Sequence, residues 1–226
     1  MIANSCDAVI LASGTGKRFT GKVPKQYIKI FRERLVNISI KSLSNLKQVR
    51  RIYVVVNKKH RSFYKFIDKK AHVLYGGQTR AKSVYNSLLC IAKKEERPRN
   101  ILIHDAARPC IDEKTLSLLL TKKNLATDGI ALGYPLTNSL KLLDKNNKII
   151  KNIKKDNLWV SYTPQLFNYD KLFLVYTKII KNKILVDDDI EAMSYYYKNI
   201  KLLHSSSRNI KLTFKDDLEV IKDLLR

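Results

Sequence analysis

Asp7-Ala8-Val9-Ile10-Leu11-Ala12-Ser13-Gly14-Thr15-Gly16-Lys17-Arg18-Phe19 is the stretch that decides the fold. Its opening, Asp7 to Leu11, is a short and almost wholly apolar run, as in a strand buried on both faces. The run empties into a loop of small residues where the backbone can pass close to a ligand. N–H groups there can cradle phosphates, and Lys17 and Arg18 add positive charge. The loop is neither a Gly-x-Gly-x-x-Gly nor a Walker A sequence. Taken alone, it fits a plain strand-to-helix turn as well.

Similar runs recur downstream. Ile52 to Val56, Val73 to Tyr75, Ile101 to His104 and Ile130 to Tyr134 read as buried strands. Between them Leu35 to Leu46, His60 to Lys70, Thr79 to Lys93 and Lys114 to Asn124 read as helices. In the third, Val84, Leu88 and Ile91 share one face, and Thr79 can cap the start. Alternating strands and helices predict an α/β fold with a mainly parallel sheet and helices on both faces. Leu140 to Asn157 breaks the pattern. Two short apolar segments flank a polar turn at Asn146-Asn147, which predicts a protruding hairpin. The hairpin fits an ordinary surface feature or an arm around a second subunit. The tail reads as helix Ile190 to Tyr197, strand Ile200 to Leu203 and helix Lys215 to Leu225.

The chain has 226 residues, 45% hydrophobic and 28% charged. That suits a globular protein of one α/β domain. Cys6, Cys90 and Cys110 are odd in number and widely spaced, which argues against a disulfide framework or zinc site and for a reducing cytoplasm. Met1 to Ile10 lacks the layout of a signal peptide, and runs such as Leu116 to Leu120 are too short to span a bilayer. The net charge is +24, carried by 12 Arg and 32 Lys spread along the chain. Such a balance fits phosphorylated substrates or nucleic acid, or a compositional bias toward Lys, Ile and Asn.

Five further motifs can carry chemistry. In Pro24-Lys25-Gln26, Lys25 can reach a triphosphate as a mobile charge. Gly76-Gly77-Gln78-Thr79-Arg80-Ala81-Lys82-Ser83 links a strand end to a helix start. Its glycines let a flat base lie on backbone, or simply make a tight turn. His104-Asp105-Ala106-Ala107-Arg108-Pro109 ends a strand, where doubly wound sheets bind ligands. Asp105 can hold Mg²⁺ there, or pair with Arg108 within the loop. Thr163-Pro164-Gln165 and Asp187-Asp188-Asp189 follow, the latter also a natural helix cap. Asn209-Ile210-Lys211-Leu212-Thr213 closes the set. His60, His72, His104 and His204 show no metal-ligand spacing.

No single motif decides the function, but their order resembles the 2-C-methyl-D-erythritol 4-phosphate cytidylyltransferase family over nearly the whole chain. The resemblance implies a Rossmann-like nucleotidyltransferase fold and a homodimer joined by a β-arm, here Leu140 to Asn157. It implies transfer of CMP from CTP to the phosphate of methylerythritol phosphate, with Mg²⁺ and fixed cations neutralising the phosphates. By the same resemblance Arg18 and Lys25 stabilise the transition state. Ala12, Ser13, Gly14, Thr15 and Gly16 hold the CTP phosphates. Gly77, Arg80 and Ser83 line the cytidine pocket, Asp105 lies near the metal and ribose, and Ala106 is a further CTP-binding residue. Lys211 positions the acceptor, with Ser139, Lys155 and Asp188 around it. The chain departs from the pattern at Ser13 (usually Ala), Phe19 (commonly Met), Ser139 (usually Thr) and Lys155 (expected Arg). The last change loses a two-pronged grip on phosphate.

Two other readings compete. A ribitol-5-phosphate cytidylyltransferase has similar loops but typically Asp-Ser-Val-Arg-Pro where this chain has Asp105 to Pro109. A basic nucleic-acid-binding protein rests on charge alone, with no recognition helix, zinc pattern or aromatic RNA-binding motif. The expectation is therefore no specific nucleic-acid partner and no membrane.

Overall fold

The computed structural model describes residues 5–16, 18, 19, 21 and 23–226, the side chain of Lys122 excepted. In chain order, β1 (Cys6–Ala12) leads through the glycine-rich loop to the small hairpin β2 (Lys29–Ile30) and β3 (Glu33–Arg34), then to α1 (Leu35–Ser44). β4 (Val49–Val56), β5 (Ala71–Tyr75), α2 (Arg80–Ala92) and β6 (Asn100–Asp105) complete the first half of the chain. α3 (Glu113–Leu119), α4 (Lys122–Leu125), β7 (Gly129–Pro135) and the hairpin β8 (Leu140–Leu143) and β9 (Ile149–Ile153) follow. β10 (Trp159–Asn168), α5 (Tyr169–Asn182), α6 (Asp189–Ser194), β11 (Ile200–His204) and α7 (Asp217–Leu224) end the chain.

The main sheet runs β11-β7-β10-β6-β1-β4-β5. β1 lies at its heart and pairs in parallel with β4 and β6. Side chains alternate across a strand. Thus Ala8 and Ile10 pack with Val36, Ile40 and Leu43 of α1 on one face. Val9 packs with Val84 and Leu88 of α2 and with Val175 and Ile179 of α5 on the other. Burial on both faces is why β1 and the Ile52–Val56 part of β4 read as apolar runs. Thr79 caps α2 as its sequence suggests, its Oγ1 accepting the Lys82 N–H at 3.1 Å.

Three expectations change. The helix expected at His60–Lys70 is instead a run of 3-10 turns over Lys58–Phe66, with His60 outside helical geometry and no residue fully buried. Phe63 and Tyr64 of that segment pack on the core but neither is fully buried, too little docking to favour a regular α-helix. The helix expected at Lys114–Asn124 breaks where Thr121 turns extended (φ −66°, ψ 154°), while Leu119 and Leu120 both bury. The region 159–182, read only for its motif, contains β10, which is antiparallel to both β6 and β7, and the amphipathic α5. Pro164 sits where the β10–β7 register shifts, between Tyr162 and Leu166, so its missing N–H costs the ladder little.

The hairpin is present and forms its own two-stranded sheet. Asp144 Oδ1 accepts the N–H groups of Asn146 and Lys148, each at 2.8 Å, and Asn147 takes a positive φ of 62°. Leu142, Ile149 and Ile150 are at least half exposed on it, at 50%, 61% and 62%. Among the described residues no helix is long and apolar enough to cross a membrane.

Candidate active site

β1, β4, β5 and β6 all end at one cleft. The residues following them, Ala12 to Gly16, Asn57 to Lys59, Gly76 to Arg80, and Asp105 with Ala107, line a cavity of about 930 Å³. That volume suits a nucleotide-sized ligand, since small-molecule sites span roughly 300–1,000 Å³. The carboxyl ends of parallel strands are the expected place for such a site. Gly16 turns the loop with φ +65°, a conformation open to glycine and costly for other residues.

Among the described residues six cationic side chains line the cavity, Arg18, Lys25, Lys58, Lys59, Arg80 and Lys211, against one carboxylate, Asp105. This lining is built for a polyanion. Lys25 donates to the Leu212 carbonyl at 2.5 Å. Burial and the neighbouring charge of Lys211, with Arg18 adding to it, push the Lys25 ammonium down to about 8. Arg18 lies 5.9 Å from the Phe214 ring centroid, so the segment after Lys211 folds against the first loop.

Asp105 is the hub. Lys211 Nζ lies 2.6 Å from its Oδ2 and Arg80 Nε 3.6 Å from its Oδ1. Burial alone would raise the carboxyl pKa, but the charges of Arg80, Lys211 and Arg108 outweigh it and hold Asp105 well below the carboxylate range. Arg80 is gripped from the other side by fully buried Asp189, with 2.6 Å from Nη2 to Oδ2. Behind Asp105, the Thr163 hydroxyl accepts the Asp105 N–H at 2.9 Å and meets His104 Nδ1 at 3.2 Å. Burial pushes the His104 imidazole down to about 4, so it is neutral and structural here. Asn209 closes the frame, donating to the Thr163 carbonyl at 3.0 Å and accepting from Arg108 at 2.8 Å.

The sequence profile of the 2-C-methyl-D-erythritol 4-phosphate cytidylyltransferase (IspD) family matches residues 6–226. The chain belongs to this cytidylyltransferase family. It is 34% identical over 218 residues to the cytidylyltransferase of Blochmanniella pennsylvanica, covering 94% of this chain and 91% of that one. The Wigglesworthia glossinidia brevipalpis relative is 35% identical over 211 residues, covering 92% and 90%. Among solved structures, the Francisella tularensis cytidylyltransferase superposes with a TM-score of 0.81 at 28% identity, over 97% of this chain and all (100%) of that one.

Against the cytidylyltransferase pattern, the structure brings together Ala12, Ser13, Gly14, Thr15, Gly16, Arg18, Lys25, Gly77, Arg80, Asp105 and Lys211, all on the cavity wall. Two expected pocket residues lie behind it. The Ser83 hydroxyl donates to the Thr79 carbonyl at 2.9 Å, takes the Gly77 N–H at 3.0 Å and meets Ser13 Oγ at 3.0 Å. It thereby joins the loop to α2. Ala106 is fully buried, its N–H bonded to Leu11 O at 3.1 Å. Gly76 and Gly77 meet protein on the side where a Cβ would stand. A Cβ on Gly76 would sit 2.8 Å from Ser13 Cβ, and one on Gly77 2.3 Å from Lys82 Cγ.

Three expected acceptor residues stand outside the cavity. Ser139 is exposed ahead of β8. Lys155 follows β9, its Nζ 2.7 Å from the Thr137 carbonyl. Asp188 caps α6 through the Glu191 N–H at 2.8 Å and accepts from Gln165 at 2.9 Å, so both its oxygens are engaged. Lys17 lies outside the described residues. Conversely, sequence reasoning passed over Asn57, Lys58 and Lys59, which look like ordinary surface residues, and gave Asp189 no role beyond a possible cap.

The position of Lys25 has a measurable consequence. If Lys25 serves phosphate, it does so in its charged form, which in the free protein is lost as pH rises through about 8. We expect kcat/KM for CTP to fall above that pH. In Lys25→Arg, whose guanidinium stays charged, the alkaline limb should move upward whatever the absolute rate. A profile for the parent protein that stays flat to strongly alkaline pH would place Lys25 away from the phosphates.

Proposed function

We infer that this chain transfers CMP from CTP to 2-C-methyl-D-erythritol 4-phosphate, giving 4-diphosphocytidyl-2-C-methyl-D-erythritol and pyrophosphate. The observation that carries the reading is the cavity at the carboxyl ends of the parallel strands, lined among the described residues by six cations and the single carboxylate of Asp105. An oxygen of the acceptor phosphate attacks the α-phosphorus, and the bond from that phosphorus to the bridging oxygen of the β-phosphate breaks. No covalent enzyme intermediate is needed. The protein's task is to hold a crowded set of negative oxygens in line and to meet charge where it builds. Arg18 and Lys25 do this at the phosphates. Lys211 takes the acceptor phosphate after leaving Asp105, against which it is neutralised in the free chain.

Mg²⁺ fits this site as a partner of the nucleotide. Among the described residues no group of three His, Cys, Asp or Glu side chains assembles to hold a metal alone. Mg²⁺ is ordinarily bound by one or two carboxylates together with substrate phosphates and water, and Asp105 supplies one such carboxylate. When bound it would supply charge neutralisation and polarise phosphoryl oxygens.

We also propose that the chain works as a homodimer in the cytoplasm. The exposed apolar residues of the β8–β9 hairpin give it something to bury against a second copy, and Lys155 follows directly. Cys6, Cys90 and Cys110 are all unpaired, in keeping with a reducing compartment.

An acceptor panel tests the assignment. With CTP and Mg²⁺, methylerythritol phosphate should give far higher kcat/KM than ribitol 5-phosphate, read as pyrophosphate release. The reverse preference would move the chain to the sister activity. Excess chelator should abolish turnover, and full activity in its presence would remove the metal from the reaction.

A further inference from the structure

Three consecutive carbonyls of the glycine-rich loop are held by side-chain amides. Gln26 Nε2 donates to Ala12 O at 2.7 Å and to Gly14 O at 3.1 Å. Asn57 Nδ2 donates to Ser13 O at 3.3 Å. The amide orientations are fixed by chemistry. Two carbonyls facing Gln26 require its nitrogen there, and the Lys59 N–H donates to Asn57 Oδ1 at 3.0 Å, leaving the Asn57 nitrogen for Ser13. Gln26 is 3% exposed, so its geometry is set by the fold and not by solvent.

A trans peptide is planar, with its C=O and N–H pointing opposite ways. Pinning the carbonyls of Ala12, Ser13 and Gly14 therefore also fixes the N–H groups of Ser13, Gly14 and Thr15. Among the described residues no backbone acceptor takes any of those three N–H groups. All three residues line the cavity. Preset donors of this kind bind a polyphosphate without spending binding energy on ordering the loop.

We propose that Gln26 and Asn57 are positioning residues of the nucleotide site: by fixing the loop carbonyls they present the Ser13, Gly14 and Thr15 N–H groups to the phosphates of CTP. This rests on the reading above that the loop takes the nucleotide. Neither residue need touch the substrate through its amide for the effect to operate. Their contribution falls on CTP and not on the acceptor, and that separates positioning from general support of the fold.

The test is direct CTP binding by calorimetry, acceptor KM at saturating CTP, and thermal melting, on the parent protein, Gln26→Met and Asn57→Ser. Met keeps the length of Gln without a donor. Ser still caps the turn at Lys59 but is too short to reach Ser13. Neither adds charge, so repulsion of the phosphates cannot mimic the effect. We expect CTP to bind about 10–100-fold more weakly in Gln26→Met and several-fold more weakly in Asn57→Ser, with acceptor KM near the parent value. If Gln26→Met does not fold, Asn57→Ser decides. Parent-like CTP binding in a folded variant, or equal weakening toward CTP and acceptor, would overturn the proposal for that residue. Failure of the parent protein to bind CTP would instead overturn the functional reading itself.

Discussion

Alanine in place of Lys25 or Arg18 is expected to lower kcat about 10²–10³-fold, equivalent to roughly 2.7–4 kcal/mol of transition-state stabilisation, with a smaller change in KM for CTP. The two cations stand on the same cavity wall but are held differently. Lys25 is half-buried and fixed to the Leu212 carbonyl, whereas Arg18 rests against Phe214. A fixed cation in a partly desolvated site needs no reorganisation as charge builds on the transferring phosphoryl group. Its loss therefore appears in turnover more than in binding. Lys25 also steadies the backbone beside Lys211, so Lys25→Ala should raise the acceptor KM more than Arg18→Ala does. Steady-state kinetics with both substrates varied gives the answer. Near-normal kcat in either variant would show that its residue is peripheral.

Mixing two crippled chains should restore activity. If the hairpin reaches across a two-fold axis, each site takes Arg18 from one chain and Lys155 from the other. Arg18→Ala chains lack turnover, and Lys155→Ala chains should fail at sub-saturating acceptor because a cation that meets the acceptor phosphate is gone. A mixed dimer then contains one site with both residues and one with neither. Random reassociation makes about half of the dimers mixed, so roughly a quarter of all sites should recover. In the structure Lys155 lies outside the cavity of its own chain and bonds the Thr137 carbonyl, an arrangement suited to service in a partner's site. Confirmed chain exchange without recovered activity would confine Lys155 to a local role. Lys155→Arg should be tolerated or improve acceptor binding, since a guanidinium grips phosphate with two hydrogen bonds.

The centre of the sheet was legible because its strands are buried on both faces and carry their signal in composition alone. The glycine-rich loop, Lys25, Arg80, Asp105 and Lys211 were picked out by the order of their motifs, each weak alone, and the structure lines one cavity with them. What escaped detection was long-range. Asp189 reads as one of three adjacent acids, yet it is buried against Arg80, 109 residues away in sequence, while its neighbour Asp188 does the capping. Asn57 and Lys58 look like the start of a surface segment until the Asn57 side chain reaches the Ser13 carbonyl. β10 was hidden by Pro164, which argues against a central strand unless the register shift is known. By contrast α5 carried a readable signal. Tyr169, Leu172, Val175, Tyr176 and Ile179 are buried at helical spacing, and Asn168 caps the start.

The place of β10 bears on how the chain is made. Its last residues, Gln165 to Asn168, are the hydrogen-bonded neighbours of Ile103 to Asn100 in β6. During synthesis β1, β4, β5 and β6 can pair as soon as they leave the ribosome, but the other edge of β6 must wait for β10. Some sixty residues separate the end of β6 from the end of β10. At about 5–20 residues per second that is roughly 3–12 s in which a strand that is buried along its whole length in the finished fold offers an open edge. A nascent chain stalled before Trp159 should be a far better substrate for chaperones and proteases than one stalled after α5 has emerged.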